Sequence, residues 1–282
     1  MRFGICCGPG SFVPSIQRDA RNQTLDSLPA LMELLQAAGA DFVEFGVGAV
    51  SPDAGEAEFE SLQKVLARFS LRVEAFNSFI PAAHRITGPD VHFDSLLRFC
   101  RVALRRCKAL GGDVVVLGSG LARKIPEGFD PVKGLAQFAE FCRALGPIAE
   151  EAGIDIALEP LNTREDNLLT SVRQGAELVD QLSHPRIKLL ADLFHIAVDK
   201  EPLENVTAAG KRLKHTHVAD LGRAAPGFAT SGEEDFIGFF RSLRKAGYDG
   251  RCSFEGSFTD IDRQGKPVIE FLKRRWAESA FS

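Results

Sequence analysis

The chain has 282 residues, 45% hydrophobic and 26% charged, which is enough apolar material for a sizeable buried core and too much for a disordered or fibrous protein. Its formal net charge is −4 and its Lys and Arg are scattered through helical stretches, which argues against nucleic acid as a partner. Met1-Arg2 leads straight into an apolar run with no signal pattern, and no stretch approaches the roughly 18 apolar residues of a membrane span, so a cytoplasmic protein with no membrane partner is expected.

Short apolar runs rich in β-branched and aromatic residues recur along the chain, each followed by a longer stretch with helical spacing. Eight can be read in order: Phe3 to Gly8, Phe42 to Gly48, Arg72 to Phe79, Asp113 to Gly118, Ile154 to Asn162, Ile187 to His195, Leu213 to Asp220 and Arg251 to Phe258. Between them, Ser27 to Ala38 keeps three-and-four spacing through Leu28, Leu31, Leu34 and Leu35, and Phe93 to Leu110 does so through Leu96, Leu97, Cys100, Leu104 and Cys107. Gly39, Gly111, Gly153 and Gly247 each follow a helical pattern and precede a strand, as a left-handed helix stop would.

Eight strands alternating with helices, with no linker and no shift in composition, predict one (β/α)8 barrel spanning residues 1–282. An open doubly wound sheet usually carries a glycine-rich phosphate loop after its first strand; here that loop reads Cys7-Gly8-Pro9-Gly10-Ser11 and lacks GxGxxG spacing. The six cysteines show no CxxC spacing and read as reduced, buried small hydrophobes.

In such a barrel the chemistry sits at the carboxyl ends of the strands. The fifth run ends at Glu159, the sixth at Asp192 with His195 three residues on, the seventh contains His215 and His217 before Asp220, and the eighth ends at Glu255. Carboxylates closing apolar strands are costly unless a charge compensates them, and a cation does so. Two Glu, one Asp and one His favour Mn²⁺, Mg²⁺ or Co²⁺ over a thiolate-held structural zinc. Any one of these residues alone reads more readily as a helix cap, a solvated loop residue or a satisfied core group than as a ligand; four on four successive strands read as one metal site. His215 is assigned to packing. Glu44 and the loop from Pro81 to Pro89 are candidates for lining the pocket or for capping, and His84 for a sugar hydroxyl contact.

The segments Leu158-Glu159-Pro160-Leu161-Asn162, Ala191-Asp192-Leu193-Phe194-His195, His215-Thr216-His217-Val218-Ala219-Asp220 and Ser253-Phe254-Glu255-Gly256 resemble the signatures of the xylose-isomerase-like sugar isomerase/epimerase barrels, most of all the ketose 3-epimerase (tagatose/psicose epimerase) type. The resemblance implies that Glu159, Asp192, His217 and Glu255 bind one metal, often Mn²⁺, and that Glu159 and Glu255 double as acid/base catalysts. At the family's offsets it also implies substrate contacts from Glu165, His195 and Arg223. The implied chemistry is proton removal beside a ketose carbonyl, through an enediolate that the metal stabilises. One Glu takes the proton and the other returns it to the opposite face of carbon 3.

Thr163-Arg164 and Ile196-Ala197 depart from the epimerase pattern beside the substrate and leave the sugar open. Phe76-Asn77-Ser78-Phe79-Ile80-Pro81 looks like relatives acting on glycosides or other modified sugars. The same metal barrel admits an inosose-dehydratase-like lyase or a hydroxypyruvate-isomerase-like enzyme. A zinc nuclease of the endonuclease IV branch needs more strand-end histidines than this chain has, and a non-catalytic sugar-binding barrel predicts a lost ligand, which is not seen. The partner expected is a small-molecule sugar, with no strong phosphate site visible between Gly222 and Ser231. Apolar outer helices leave room for a homo-oligomer.

Overall fold

The computed structural model describes residues 1–7, 27–230 and 232–281. The Gly8 to Ser11 part of the first loop, and Ser231, lie outside the described residues. The strands β1 (Arg2–Cys7), β2 (Phe42–Gly46), β3 (Val73–Asn77), β4 (Val114–Leu117), β5 (Asp155–Leu158), β6 (Ile187–Asp192), β7 (Leu213–Val218) and β8 (Arg251–Phe254) each pair in parallel with their sequence neighbours. β8 also pairs with β1, which closes the barrel.

Around it lie α1 (Leu28–Ala37), α2 (Glu56–Leu66), α3 (Phe93–Ala109), a single turn α4 (Gly120–Arg123), α5 (Pro131–Ala152), α6 (Val172–Leu182), α7 (Leu193–Asp199), α8 (Glu204–Ala209), α9 (Phe236–Lys245) and α10 (Ile261–Glu278). Local chemistry sets their ends. In α5, Pro131 opens the helix, the Asp130 side chain accepts from the Val132 N–H at 2.9 Å, and Gly153 ends it at φ 66°. The other three glycine stops, Gly39, Gly111 and Gly247, also have positive φ. Among the described residues no helix is long and apolar enough to cross a membrane.

All but the first of the sequence runs are longer than the strands they contain, and β5 and β6 show why. β5 stops at Leu158 rather than Asn162, since Pro160 has no N–H to give to a ladder, and β6 stops at Asp192, which caps α7. His195 therefore stands on the first turn of α7, not on a strand.

The core has two layers. The larger one fills the space between strands and helices, and a small cluster of Phe42, Ala75, Val114, Val116, Ala157 and Leu190 fills the lower barrel interior. Phe42 reaches across that interior because β1 carries Gly4 opposite it; a Cβ there would lie 2.5 Å from the Phe42 ring. Strand side chains alternate in and out, so positions two residues beyond these apolar plugs also point inward and upward. Phe42 is followed by Glu44, Ala75 by Asn77, Ala157 by Glu159 and Leu190 by Asp192; on β7 and β8 the inward pairs are His215 with His217 and Ser253 with Glu255. The barrel is thus apolar below and polar above, and the polar layer forms the floor of the mouth.

Candidate metal centre and active site

Glu159, Asp192, His217 and Glu255 end strands β5 to β8 or stand just past them, and one ligand atom from each lies within 4.8 Å of the others. His217 Nδ1 is 3.1 Å from Glu159 Oε1 and 3.4 Å from Glu255 Oε2. Asp192 divides its two oxygens. Oδ1 accepts from the Phe194 N–H at 2.8 Å, capping α7, and Oδ2 is buried with no hydrogen-bond partner. A buried carboxylate oxygen without a donor is expensive, and a cation among these four groups would satisfy it. β4 leaves room for the set: a Cβ on Gly118 would sit 2.1 Å from Glu159 Oε2. The buried Glu/Asp/His cluster can therefore hold a metal ion.

The charges of the cluster are partly offset by its own members. Burial disfavours a charged imidazole at His217, but Glu44, Glu255 and Glu159 around it outweigh that and raise its pKa well above the ordinary histidine value. Burial also raises the Glu255 carboxyl, yet His217 and Arg223 win and hold it down to about 2. For Asp192 burial dominates over His195 and His217, and with Glu159 and Glu255 adding to it the carboxyl is pushed up to about 6. An imidazolium thus offsets, in the protein alone, part of the negative charge of three convergent carboxylates.

Beside the cluster lies a cavity of about 350 Å³, lined by Glu159, Glu165, His195, Arg223 and Glu255 together with the 78–82 and 119–121 loops. The three residues expected to touch substrate are therefore brought to the same cavity as the two expected acid/base residues. His195 Nδ1 accepts from the Asn162 backbone N–H at 3.0 Å, which places the ring proton on Nε2, 3.6 Å from Asp192 Oδ2 and facing the cavity. The Asn162 side chain also donates to Glu165 at 2.8 Å. Arg223 spans the group, with Nη1 3.4 Å from Glu255, Nη2 3.3 Å from Glu165, and its guanidinium 4.3 Å over the Phe194 ring. Arg223, Ser78 and Ser119 all take positive φ, and all three line this cavity. Among the described residues the two other such non-glycine positions, Ser183 and Lys200, are ordinary helix C-caps.

Three expectations need correction or refinement. Glu44 does not line the pocket; it is fully buried one layer below the mouth, because β2 runs two residues past it before the chain turns outward. His215 faces inward beside His217, as its two-residue offset requires, and is packed there with its Nε2 2.7 Å from Glu44. His84 sets its ring 5.1 Å from Phe99 and is not among the residues lining the cavity, whereas Pro81 and Ala82 of the same loop are. Sequence reading missed Asn77, whose side chain donates to Glu255 at 2.8 Å and to Cys6 Sγ at 2.8 Å. The inward parity of β3 was the available signal. All six cysteines are free, and burial pushes the Cys142 and Cys252 thiols up to about 12.

Comparison with known proteins agrees with this fold. The L-ribulose 3-epimerase of Methylomonas sp. (strain DH-1) is 28% identical over 266 residues, covering 85% of this chain and 88% of that one. The crystal structure of D-psicose 3-epimerase with D-tagatose from Clostridium cellulolyticum H10 superposes with a TM-score of 0.80 at 18% identity, covering 98% of this chain and 99% of that one. The 3-keto-D-glucoside 4-epimerase of E. coli superposes with a TM-score of 0.78 at 18% identity, covering 97% and 99%. The family model described as the xylose isomerase-like TIM barrel matches residues 32–275, nearly the whole barrel, and the chain belongs to that family.

Proposed function

We propose that this protein is a cytoplasmic, divalent-metal-dependent ketose 3-epimerase, with Mn²⁺ as the metal and Glu159 and Glu255 as the acid/base pair. The observation that carries the reading is the convergence of Glu159 and Glu255, from strands three apart around the barrel, on one cavity and on one imidazole nitrogen, His217 Nδ1. Glu159, Asp192, His217 and Glu255 would hold the cation, which when bound would supply Lewis-acid chemistry beside a substrate carbonyl.

The chain's own groups do the rest. Glu255 is held from two sides, by Asn77 on Oε1 and by Arg223 on Oε2, which keeps it ionised and fixed in orientation as a base. Glu159 has one oxygen toward His217 and the other in the space left by Gly118, so it reaches the same cavity from the far side of the barrel. Proton removal by one and return by the other exchanges the configuration at the carbon between them. His195, fixed as an Nε2–H donor by Asn162, is placed to hydrogen-bond a substrate oxygen, and Arg223 with Glu165 to fix neighbouring hydroxyls. Similarity to two L-ribulose 3-epimerases, of which the chain covers 88% and 80%, supports this choice of reaction.

The test is incubation of metal-stripped protein, with and without Mn²⁺, with a panel of free ketoses and inosose in D₂O, followed by NMR. Restoration by Mn²⁺ of deuterium exchange together with an epimeric product, and loss of both in Glu159→Gln and Glu255→Gln, is the expected result. A product that has lost water would make the barrel a dehydratase, and an aldose product an aldose–ketose isomerase.

A further inference from the structure

Below the four convergent groups lies a second buried cluster in which Glu44, from β2, receives three donors across the barrel. His217 Nε2 is 3.0 Å from its Oε1, His215 Nε2 is 2.7 Å from its Oε2, and the Ser253 hydroxyl donates to the same oxygen at 2.6 Å. Glu44, His215, His217 and Ser253 are all fully buried. Both oxygens of the carboxylate are committed.

We propose that Glu44 is the positioning residue of the metal centre: by accepting the Nε2 proton of His217 it orients that ring so that Nδ1, the nitrogen that would ligate, faces Glu159, Asp192 and Glu255. A ligating imidazole must present one bare nitrogen, and the partner of its other nitrogen decides which one that is and how basic it is. Here the two ring nitrogens of His217 face different clusters, Nδ1 upward to the mouth and Nε2 downward to Glu44.

His215 and Ser253 act on Glu44 and not on the mouth. Each fills a lone pair that would otherwise let the carboxylate rotate away from His217, and His215 spends its single Nε2–H on Glu44, leaving its own Nδ1 buried without a partner. That orphaned atom is a cost the fold accepts to keep Glu44 pinned. The trio Glu44, His215 and His217 also has metal-ligand spacing, but both Glu44 oxygens and the Nε2 atoms of both rings are already committed to one another, and the two rings meet edge to face.

The inference rests on reading Glu159, Asp192, His217 and Glu255 as a metal site, and its experiment separates the two. The full chain and its Glu44→Gln variant, both metal-stripped, are titrated with Mn²⁺ against a competing chelator. Long-range ¹H–¹⁵N NMR of the Mg²⁺-loaded wild type reads the His217 tautomer. Expected are one ion per wild-type chain, Mn²⁺ affinity weakened about 10–100-fold in Glu44→Gln, and a His217 ring protonated at Nε2 alone. Equal affinity in the two proteins, a proton on Nδ1 of the loaded ring, or two ions per wild-type chain with one lost in Glu44→Gln would overturn it. Should Glu44→Gln fail to fold, Glu44→Asp, which keeps the charge but draws the carboxylate back from His217 Nε2, replaces it in the same titration, with weakened Mn²⁺ affinity expected and equal affinity overturning the inference. If the wild type binds no metal at all, the metal reading fails and this inference with it; if the wild type binds and the variant binds as well, this inference alone fails.

Discussion

At the residue scale, the mouth of the barrel depends on a few side chains whose neighbours leave them no alternative. Gly118 is the plainest case. Its missing Cβ is the space that Glu159 Oε2 occupies, so Gly118→Ala should push the carboxylate out of line while leaving β4 intact. A displacement on the order of 1 Å at a reacting group costs about 100-fold in turnover. Steady-state kinetics with a melting curve checks this, the expectation being a large fall in kcat at a nearly unchanged melting temperature. Arg223 gives a second test. Its fork spans Glu255 and Glu165 while its flat face covers Phe194, and Lys reproduces neither feature. Arg223→Lys should raise KM by about tenfold on the substrate that the exchange assay identifies, which corresponds to about 1.4 kcal/mol of binding.

At the level of elements, β6 and α7 share Asp192, which ends the strand, caps the helix with Oδ1 and offers Oδ2 to the site. Asp192→Asn keeps a capping oxygen and removes the buried charge. The metal-free variant should therefore melt at or above the wild-type temperature at pH 7, while its Mn²⁺ affinity falls by more than about 100-fold. Calorimetry and chelator competition on the same samples read the two effects. A second device braces the loop that carries Glu165. Arg123 of α4 pairs with Asp166 at 2.8 Å, both fully enclosed, and also donates to the Leu117 carbonyl at 3.0 Å. Arg123→Met leaves Asp166 as an uncompensated buried charge and should cost about 3–5 kcal/mol in denaturant unfolding.

For the molecule as a whole, the polar plug makes the metal-free fold sensitive to pH in a defined direction. Asp192 has its folded pKa raised to about 6, so the native state holds that proton more tightly than the unfolded chain does. Its contribution is present below the ordinary aspartate range and is lost as pH rises through about 6. Glu255, held down to about 2, contributes above the ordinary glutamate range and loses that contribution only in strong acid. Between pH 5 and 7 the Asp192 term therefore dominates of these two, and the metal-free protein should lose about 1 kcal/mol over that interval. Saturating Mn²⁺ should remove the loss. Because Asp192 and His217 must both give up protons to ligate, Mn²⁺ affinity should rise over the same interval, with proton release visible when calorimetry is repeated in buffers of different ionisation enthalpy.

What could be read from the sequence, and what could not, follows from the range of the interactions involved. Strand and helix alternation is local: apolar spacing, glycine stops at Gly39, Gly111, Gly153 and Gly247, and Asp130-Pro131 at the head of α5 specify it, and with it the barrel and its carboxyl-end residues Glu159, Asp192, His217 and Glu255. The bounds of β5 and β6 were harder, because hydrophobicity continues past the point where Pro160 and the Asp192 cap end the ladder. Only the closed barrel shows that Glu44 lies beneath the site, that Asn77 holds Glu255 from 178 residues away, and that His84 turns to Phe99. Inward parity is a property of one strand, but the height of a residue in the barrel depends on the register among all eight, and hydrogen-bond partners across the interior depend on closure. The sequence by itself determined the fold and which side chains end its strands; the tertiary structure decided which of them meet, since that follows from distances between elements the chain keeps far apart.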